Sequence, residues 1–250
     1  MPRVITLLTD FGTADGYVGE MKGVLLAGAP EATLVDITHE IPAQDVEAAR
    51  LTLARVWRRF PPGTVHLVVV DPGVGTDRAA LAVASDERFL VGPDNGVLSP
   101  ALLMTGTRVV TLETPSNASA TFHGRDVFAP AAARLASGAP IETLGFPATQ
   151  PRIRRTPEPR RTGDGALLGE VISIDRFGNA ITNLVGLRTG TVEAAGLSLP
   201  LRRTYGEAPI GAPVAIVGSS GLIEIAVRDG NAARALRILR GTPVVYRAAP

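Results

Sequence analysis

Three aspartates, one arginine and one histidine occupy the positions where this chain could do chemistry. Apolar runs at residues 4–8, 33–35 and 65–70 stop at Thr9-Asp10-Phe11-Gly12, Asp36-Ile37-Thr38-His39 and Asp71-Pro72-Gly73-Val74-Gly75. Arg78 follows Asp71 by a short loop, near enough to pair with it or with a shared ligand, and His123 stands in Thr121-Phe122-His123-Gly124-Arg125-Asp126 before a helical stretch. Runs this apolar, without alternation, suit strands covered on both faces, as in a parallel sheet. Ligands of open α/β sheets sit outside the carboxyl ends of the strands. Aspartates delivered to that edge therefore suggest a site that handles a polar ligand or a proton. A strand-end aspartate can also cap the next helix or close a turn, Arg78 can be a surface arginine, and a lone histidine can be structural. His39 reads as a satisfied loop residue and His66, inside a strand run, as a structural one. The Asp71–Gly75 loop lacks both the Gly-Lys-Ser/Thr ending of a phosphate loop and the glycine spacing of the dinucleotide fingerprint.

The elements that must position these residues are legible in outline. Up to about residue 146, strands alternate with helices at 17–27, at 45–60 with Asp45 as cap, and at 127–136 ending before Gly138. Such repetition implies right-handed crossovers and a layered α/β domain with a mainly parallel sheet. Residues 147–164 carry four prolines and five arginines with few apolar side chains, and read as an extended, solvated linker. From 165 to 250 the texture changes to short β-like runs at 167–174, 180–184, 214–217, 222–227 and 243–246, with one helical stretch at 231–236. Frequent Gly and Pro among short strands argue for a small β-barrel or sandwich. Within it, Asp175-Arg176-Phe177-Gly178-Asn179 offers a carboxylate, a ring and an amide. These could recognise an ammonium, stack on a base and bond its edge, or simply form a hairpin turn. Ser219-Ser220-Gly221 presents the same ambiguity.

Composition removes other classes. The net charge is +1, which makes no case for nucleic acid or an anionic membrane. The absence of cysteine excludes disulfides, thiolate nucleophiles and cysteine-ligated metals. No stretch approaches a membrane span, and the chain opens directly into a strand, so a cytoplasmic protein is expected. Lys22 is the only lysine among 25 basic residues.

Taken together, the motifs resemble those of the S-adenosylmethionine hydroxide adenosyltransferases, relatives of the fluorinases and chlorinases. The resemblance rests on Thr9-Asp10-Phe11-Gly12 with Asp15-Gly16-Tyr17-Val18-Gly19, Asp36-Ile37-Thr38-His39, and Asp71–Gly75 with Arg78. It continues through Gly92-Pro93-Asp94-Asn95-Gly96, the His123 segment, Ile174–Asn179 and Ser219-Ser220-Gly221, in family order over nearly the whole chain. It implies an N-terminal α/β domain, a C-terminal β-barrel and a homotrimer that binds S-adenosyl-L-methionine between one subunit's N-terminal domain and its neighbour's C-terminal domain. An Asp, Arg and His triad that handles water maps onto Asp71, Arg78 and His123. Asp10 matches the carboxylate on the ribose hydroxyls, Asp175 the one on the methionine ammonium, Phe177 and Asn179 the adenosine pocket, and Ser220 the methionine carboxylate. The implied reaction uses no cofactor and yields adenosine and L-methionine. Fluorinases have a serine where this chain has Gly124, an aromatic side chain in place of Asp71, and an extra loop. Chlorinases share the glycine but lack the charged triad. Two other readings of the residues are a metal-dependent hydrolase and a non-catalytic S-adenosylmethionine or adenosine sensor. The first is weakened by scattered histidines without His-x-His or Glu-x-x-His spacing, and the second has no need for the triad.

Overall fold

The computed structural model describes residues 4–186 and 189–249. Contacts divide the chain into two compact units, with the boundary between Arg154 and Arg155. The first unit runs β1 (Val4–Thr9), α1 (Tyr17–Gly28), β2 (Thr33–Thr38), α2 (Val46–Val56), β3 (Val65–Val69), β4 (Ala80–Ser85), β5 (Arg88–Pro93), α3 (Ser99–Leu102), β6 (Arg108–Leu112), α4 (Ala129–Ala136) and β7 (Gly145–Pro147). Its seven strands form one sheet in the order β2-β1-β3-β5-β4-β6-β7. Pairings among β2, β1, β3 and β5 are parallel, and those from β5 through β4 and β6 to β7 are antiparallel. The sheet is thus mixed where a mainly parallel one was expected, and its parallel half is the one that carries the aspartates. The reversal begins at Asp86-Glu87, both at positive φ, which makes a tight hairpin between β4 and β5.

β1 and β3 are covered on both faces, as their unbroken apolar runs predict. Ile5, Leu7, Leu67 and Val69 pack on one side with Met21 and Leu25 of α1 and the alanine-rich α4. Leu8 and Val68 pack on the other with Val46, Ala49 and Leu53 of α2 and with Trp57. β2 departs from expectation. It is an edge strand, only partly buried, and it runs past Asp36 to Thr38, because β1 alone covers its flank. Asp45 caps α2, its Oδ1 accepting from the Ala48 N–H at 2.9 Å. The α-helical part ends at Val56 and tightens into a 3₁₀ turn over Trp57–Arg59, short of the expected Phe60. Before α4, residues Gly124–Phe128 form one π-helical turn, so the helical segment starts three residues earlier than predicted.

The stretch after β7 is tied to this unit in its first half. The Arg152 N–H donates to Asp94 Oδ1 at 2.7 Å, and Arg154 donates to Ser99 Oγ and the Asn95 carbonyl at 2.8 and 2.9 Å.

The second unit contains β8 (Arg160–Arg161), β9 (Leu167–Ile174), β10 (Ala180–Val185), β11 (Gly190–Ala194), β12 (Leu197–Arg202), β13 (Pro213–Val217), β14 (Leu222–Val227), α5 (Ala232–Ala235) and β15 (Pro243–Ala248). Seven strands close in the order β10-β14-β13-β12-β11-β15-β9, with β9 pairing back to β10 and β8 added outside β9. The expected small barrel is therefore present, around Val171, Leu184, Val192, Ile223, Ile225 and Val244. The β11–β12 hairpin was not visible in the sequence. It turns at Ala195-Gly196, both at positive φ, between strands whose apolar positions are interrupted by polar ones.

Candidate active site

In the first unit the parallel strands β1 and β3 end side by side, Thr9 pairing with Val69. This brings Asp10 and Asp71 to one edge. Asn95, from the Gly92–Gly96 motif, supports that edge: its Nδ2 donates to the Val70 carbonyl at 2.8 Å. The loop after Asp71 folds back on itself. Val74 N–H donates to the Asp71 carbonyl, and both the N–H and hydroxyl of Thr76 donate to the Gly73 carbonyl. Arg78 consequently returns onto the aspartate that precedes it. Its Nε lies 2.9 and 3.0 Å from the two Asp71 carboxylate oxygens, and its Nη2 bonds Oδ2. Both side chains are only 5% exposed, so this is a buried, bidentate ion pair and not a surface arginine. The Phe128 ring lies under the guanidinium at 5.1 Å.

Arg78 Nη2 also lies 3.0 Å from His123 Nδ1. Arginine has no acceptor, so the histidine nitrogen must accept. The imidazole is therefore neutral, with its proton on Nε2. Its proton affinity falls below the ordinary histidine value, first because burial disfavours the cation and then because Arg78 is positive, against the opposing charges of Asp71 and Asp126. Glycine is required where the two loops meet. Gly75 has φ +76°, and a Cβ there would lie 2.4 Å from the Ala120 carbonyl oxygen. The segment leading to His123 is further held by Asp126, which accepts from the Ser119 N–H at 2.8 Å and from Arg125 at 2.7 and 3.0 Å. Arg125 reaches on to Glu20 of α1 at 2.8 Å.

Asp10 is held differently. Its Oδ2 accepts from the Gln44 backbone N–H at 2.7 Å. Gln44 adopts φ 65°, uncommon for a residue with a Cβ and of the kind found at functional sites. Asp10, Asp71, His123, Gln44 and Thr121 line a cavity of 410 Å³ whose remaining wall includes Phe11, Tyr17 and Phe122. These three rings contact one another with centroids 5.4–5.9 Å apart. Neither the aromatic trio nor Gln44 was singled out from sequence. The rings lie on separate segments, and a glutamine before a helix cap carries no distinguishing mark.

Of the other two histidines, the first behaves as the structural residue expected. His66 is fully buried in β3, 2.7 Å from Thr6 Oγ1 and edge-on to Phe60, with its pKa pushed down to about 4 chiefly by burial. His39, a loop residue as expected, is only half satisfied: its Nδ1 lies 2.8 Å from Thr9 Oγ1, while its buried Nε2 makes no aligned hydrogen bond among the described residues. Among the described residues, no group of three or more His, Cys, Asp or Glu is gathered as a metal site.

In the second unit the Asp175–Asn179 segment is the turn between β9 and β10. Asp175 Oδ1 accepts from the Phe177 and Asn179 N–H groups, each at 2.9 Å, and Oδ2 accepts from Asn179 Nδ2 at 2.9 Å. This organises both side chains while leaving the Phe177 ring 74% exposed. Ser220 is exposed on the β13–β14 turn, closed by the Gly218 N–H on the Leu222 carbonyl. Below that turn, Glu224 is buried in β14 and accepts from the Tyr205 hydroxyl at 3.1 Å. Burial, then the negative charge of Glu224, pushes the Tyr205 hydroxyl up to about 12, with Asp175 contributing. Glu224 was missed, although a carboxylate inside Leu-Ile-Glu-Ile-Ala-Val is the buried polar group a sequence can flag.

Comparison with known proteins gives the same partition. The profile described as SAM hydroxide adenosyltransferase N-terminal domain matches residues 5–145, and that of the C-terminal domain matches residues 169–245. The (R)-S-adenosyl-L-methionine hydrolase of Thermus thermophilus is 45% identical, over 97% of this chain and 98% of that protein. That of Salinispora arenicola is 41% identical, over 95% of each. The fluorinase of an Actinoplanes species stands further off, at 27% identity over 89% of this chain and 90% of its own. Among solved structures, an uncharacterized conserved protein from Thermotoga maritima superposes with a TM-score of 0.88 at 34% identity, covering 97% of this chain and 99% of that one. The chain belongs to the SAM hydroxide adenosyltransferase family.

Proposed function

We propose that this protein hydrolyses S-adenosyl-L-methionine at the C5′–S bond, releasing adenosine and L-methionine. The observation that carries the reading is the buried Asp71–Arg78–His123 assembly, with Asp71 and His123 open to the same cavity as Asp10. The similarity to the hydrolases of Thermus and Salinispora points the same way. A sulfonium leaves readily, but water is a poor nucleophile at carbon, so the protein's task is to make water act as hydroxide. Bulk water has a pKa of about 15.7. A fixed positive charge and a positioned base lower the effective cost of removing its proton.

The tautomer divides the work. With Nδ1 accepting from Arg78, His123 presents Nε2–H and orients a water through the water's lone pair. Asp71 still has free lone pairs beyond those facing Arg78 and takes the proton. The water oxygen bonds to C5′, the C5′–S bond breaks, and its electron pair neutralises the sulfonium as the thioether of methionine. The proton passes from Asp71 to solvent. Phe11, Tyr17 and Phe122 exclude competing water and strengthen these fields.

Binding roles complete the proposal: Asp10 for the ribose hydroxyls, Asp175 for the ammonium, Phe177 and Asn179 for the adenosine, and Ser220 for the carboxylate. S-adenosyl-L-methionine is then substrate, no cofactor is needed, and a homotrimer assembles the site from neighbouring subunits. The test is turnover of metal-stripped protein in halide-free ¹⁸O-water. Adenosine carrying ¹⁸O at C5′ together with methionine supports the reading. Tight binding without turnover points to a sensor, and activity only with added divalent cation points to a metallohydrolase.

A further inference from the structure

His39 sits in a polar chain that the reaction above does not use. Lys22 Nζ on α1 lies 2.7 Å from Asp36 Oδ2 on β2. Asp36 Oδ1 lies 3.1 Å from His39 Nε2, an electrostatic contact more than an aligned hydrogen bond. His39 Nδ1 then lies 2.8 Å from Thr9 Oγ1. The order carboxylate, imidazole, hydroxyl is that of a nucleophilic triad. Access rules that role out, since Thr9 is fully buried and does not line the cavity.

The chain instead converges on the corner that carries Asp10. Thr9 Oγ1 also accepts from the Phe11 N–H at 3.3 Å, so the hydroxyl spans the aspartate on both sides. The His39 carbonyl accepts from the Gly12 N–H at 2.8 Å, and the Thr9 carbonyl accepts from Ile41 at 3.4 Å. The loop that starts at His39 ends at Gln44, whose N–H holds the Asp10 carboxylate. Both loops that define this carboxylate's place are therefore joined by these backbone hydrogen bonds and by one buried side-chain contact, His39 to Thr9. Asp36 itself keeps its proton less readily than an ordinary carboxyl: burial opposes its charge, but Lys22 and His39 outweigh it.

We propose that His39, with Thr9 and Asp36, is a positioning residue that sets the Asp10 carboxylate for a vicinal diol on the ligand. The inference rests on the ribose role given to Asp10 above. The experiment measures competitive inhibition by adenosine and by 2′,3′-dideoxyadenosine in the unaltered protein, Asp10→Ala, His39→Ala, Thr9→Val and the Asp10→Ala/His39→Ala double variant. The unaltered protein is expected to prefer adenosine by about tenfold or more, the scale of a charge-assisted hydrogen bond. His39→Ala and Thr9→Val should bring that ratio toward unity, and the double variant should lose no more than Asp10→Ala alone. Thr9→Val removes only a hydroxyl, so it keeps the test open if His39→Ala fails to fold. Equal weakening toward both nucleosides, or additive losses in the double variant, would overturn the inference while leaving the Asp10 role intact. Absence of any preference in the unaltered protein would overturn the Asp10 role and this inference with it.

Discussion

Asp71→Asn is the most informative single change, because it keeps volume and an acceptor oxygen but removes the charge facing Arg78. Both side chains are 5% exposed. The guanidinium would remain buried with the His123 nitrogen, the Phe128 ring and the Ala79 carbonyl at 3.4 Å. Removing one partner of an ion pair at that depth costs about 3–5 kcal/mol. For a protein of this size that lowers the thermal midpoint by about 6–20 °C. A positioned base contributes about 10²–10⁴ in rate, equivalent to about 3–5 kcal/mol of barrier. With assays well below the variant's own midpoint, kcat should fall by that factor and KM should change by less than about threefold. The pH profile adds a sign. Hydrolysis needs neutral His123, so the rate is lost as pH falls through its lowered pKa. Asp71 opposes that lowering and Arg78 promotes it. Asp71→Asn should move the acid limb to lower pH, and Arg78→Met to higher pH. Chromatographic measurement of adenosine release reads both quantities. A KM that rises as much as kcat falls would make Asp71 a binding residue and refute the mechanism.

Three further predictions are independent of that one. His123→Gln places an amide N–H near the lost Nε2–H, whereas His123→Asn reaches only as far as Nδ1. The glutamine variant should retain about tenfold more kcat, and the reverse order would contradict the assigned tautomer. Gly75→Ala brings a methyl 2.4 Å from the Ala120 carbonyl at φ +76°. It should cost about 1–3 kcal/mol in denaturant unfolding and lower kcat, and wild-type values for both would refute the required close approach. His66 has a folded pKa of about 4, below the ordinary 6.5, so the unfolded chain binds the extra proton first. Its contribution is complete above pH 6.5 and is lost as pH falls toward 4, by about 3 kcal/mol. Denaturant unfolding across that range should give a flatter pH dependence in Thr6→Val/His66→Phe, and an unchanged slope would exclude His66 as the source.

What could be read from sequence follows the reach of the physics involved. Unbroken apolar runs ending in aspartate identified β1 and β3, because burial on two faces leaves no room for alternation. Asp45 announced its helix because a cap acts over three residues. Closely spaced Gly and Pro among short apolar runs pointed to the barrel, and an ordered set of motifs pointed to the family and to Asp10, Asp71, Arg78 and His123. The antiparallel half of the sheet was hidden, since its hairpin turns at Asp86-Glu87, where Glu87 adopts a positive φ that its residue type does not favour. So was the edge position of β2, which depends on which strand lies beside it and not on its own residues. The short loop between Asp71 and Arg78 left their pairing within reach of the sequence, but the rest of the site's geometry was not. That Arg78 also directs His123's proton to Nε2 depends on a folded loop, on Gly75 passing against Ala120, and on a π-helical turn starting at Gly124. Likewise, Thr9, Asp36 and His39 form one chain only because β1 and β2 lie side by side. Local propensity and hydrophobic period act over a few residues and therefore survive in the sequence. Hydrogen-bond direction and burial of charge arise between segments, and only the tertiary structure decides them.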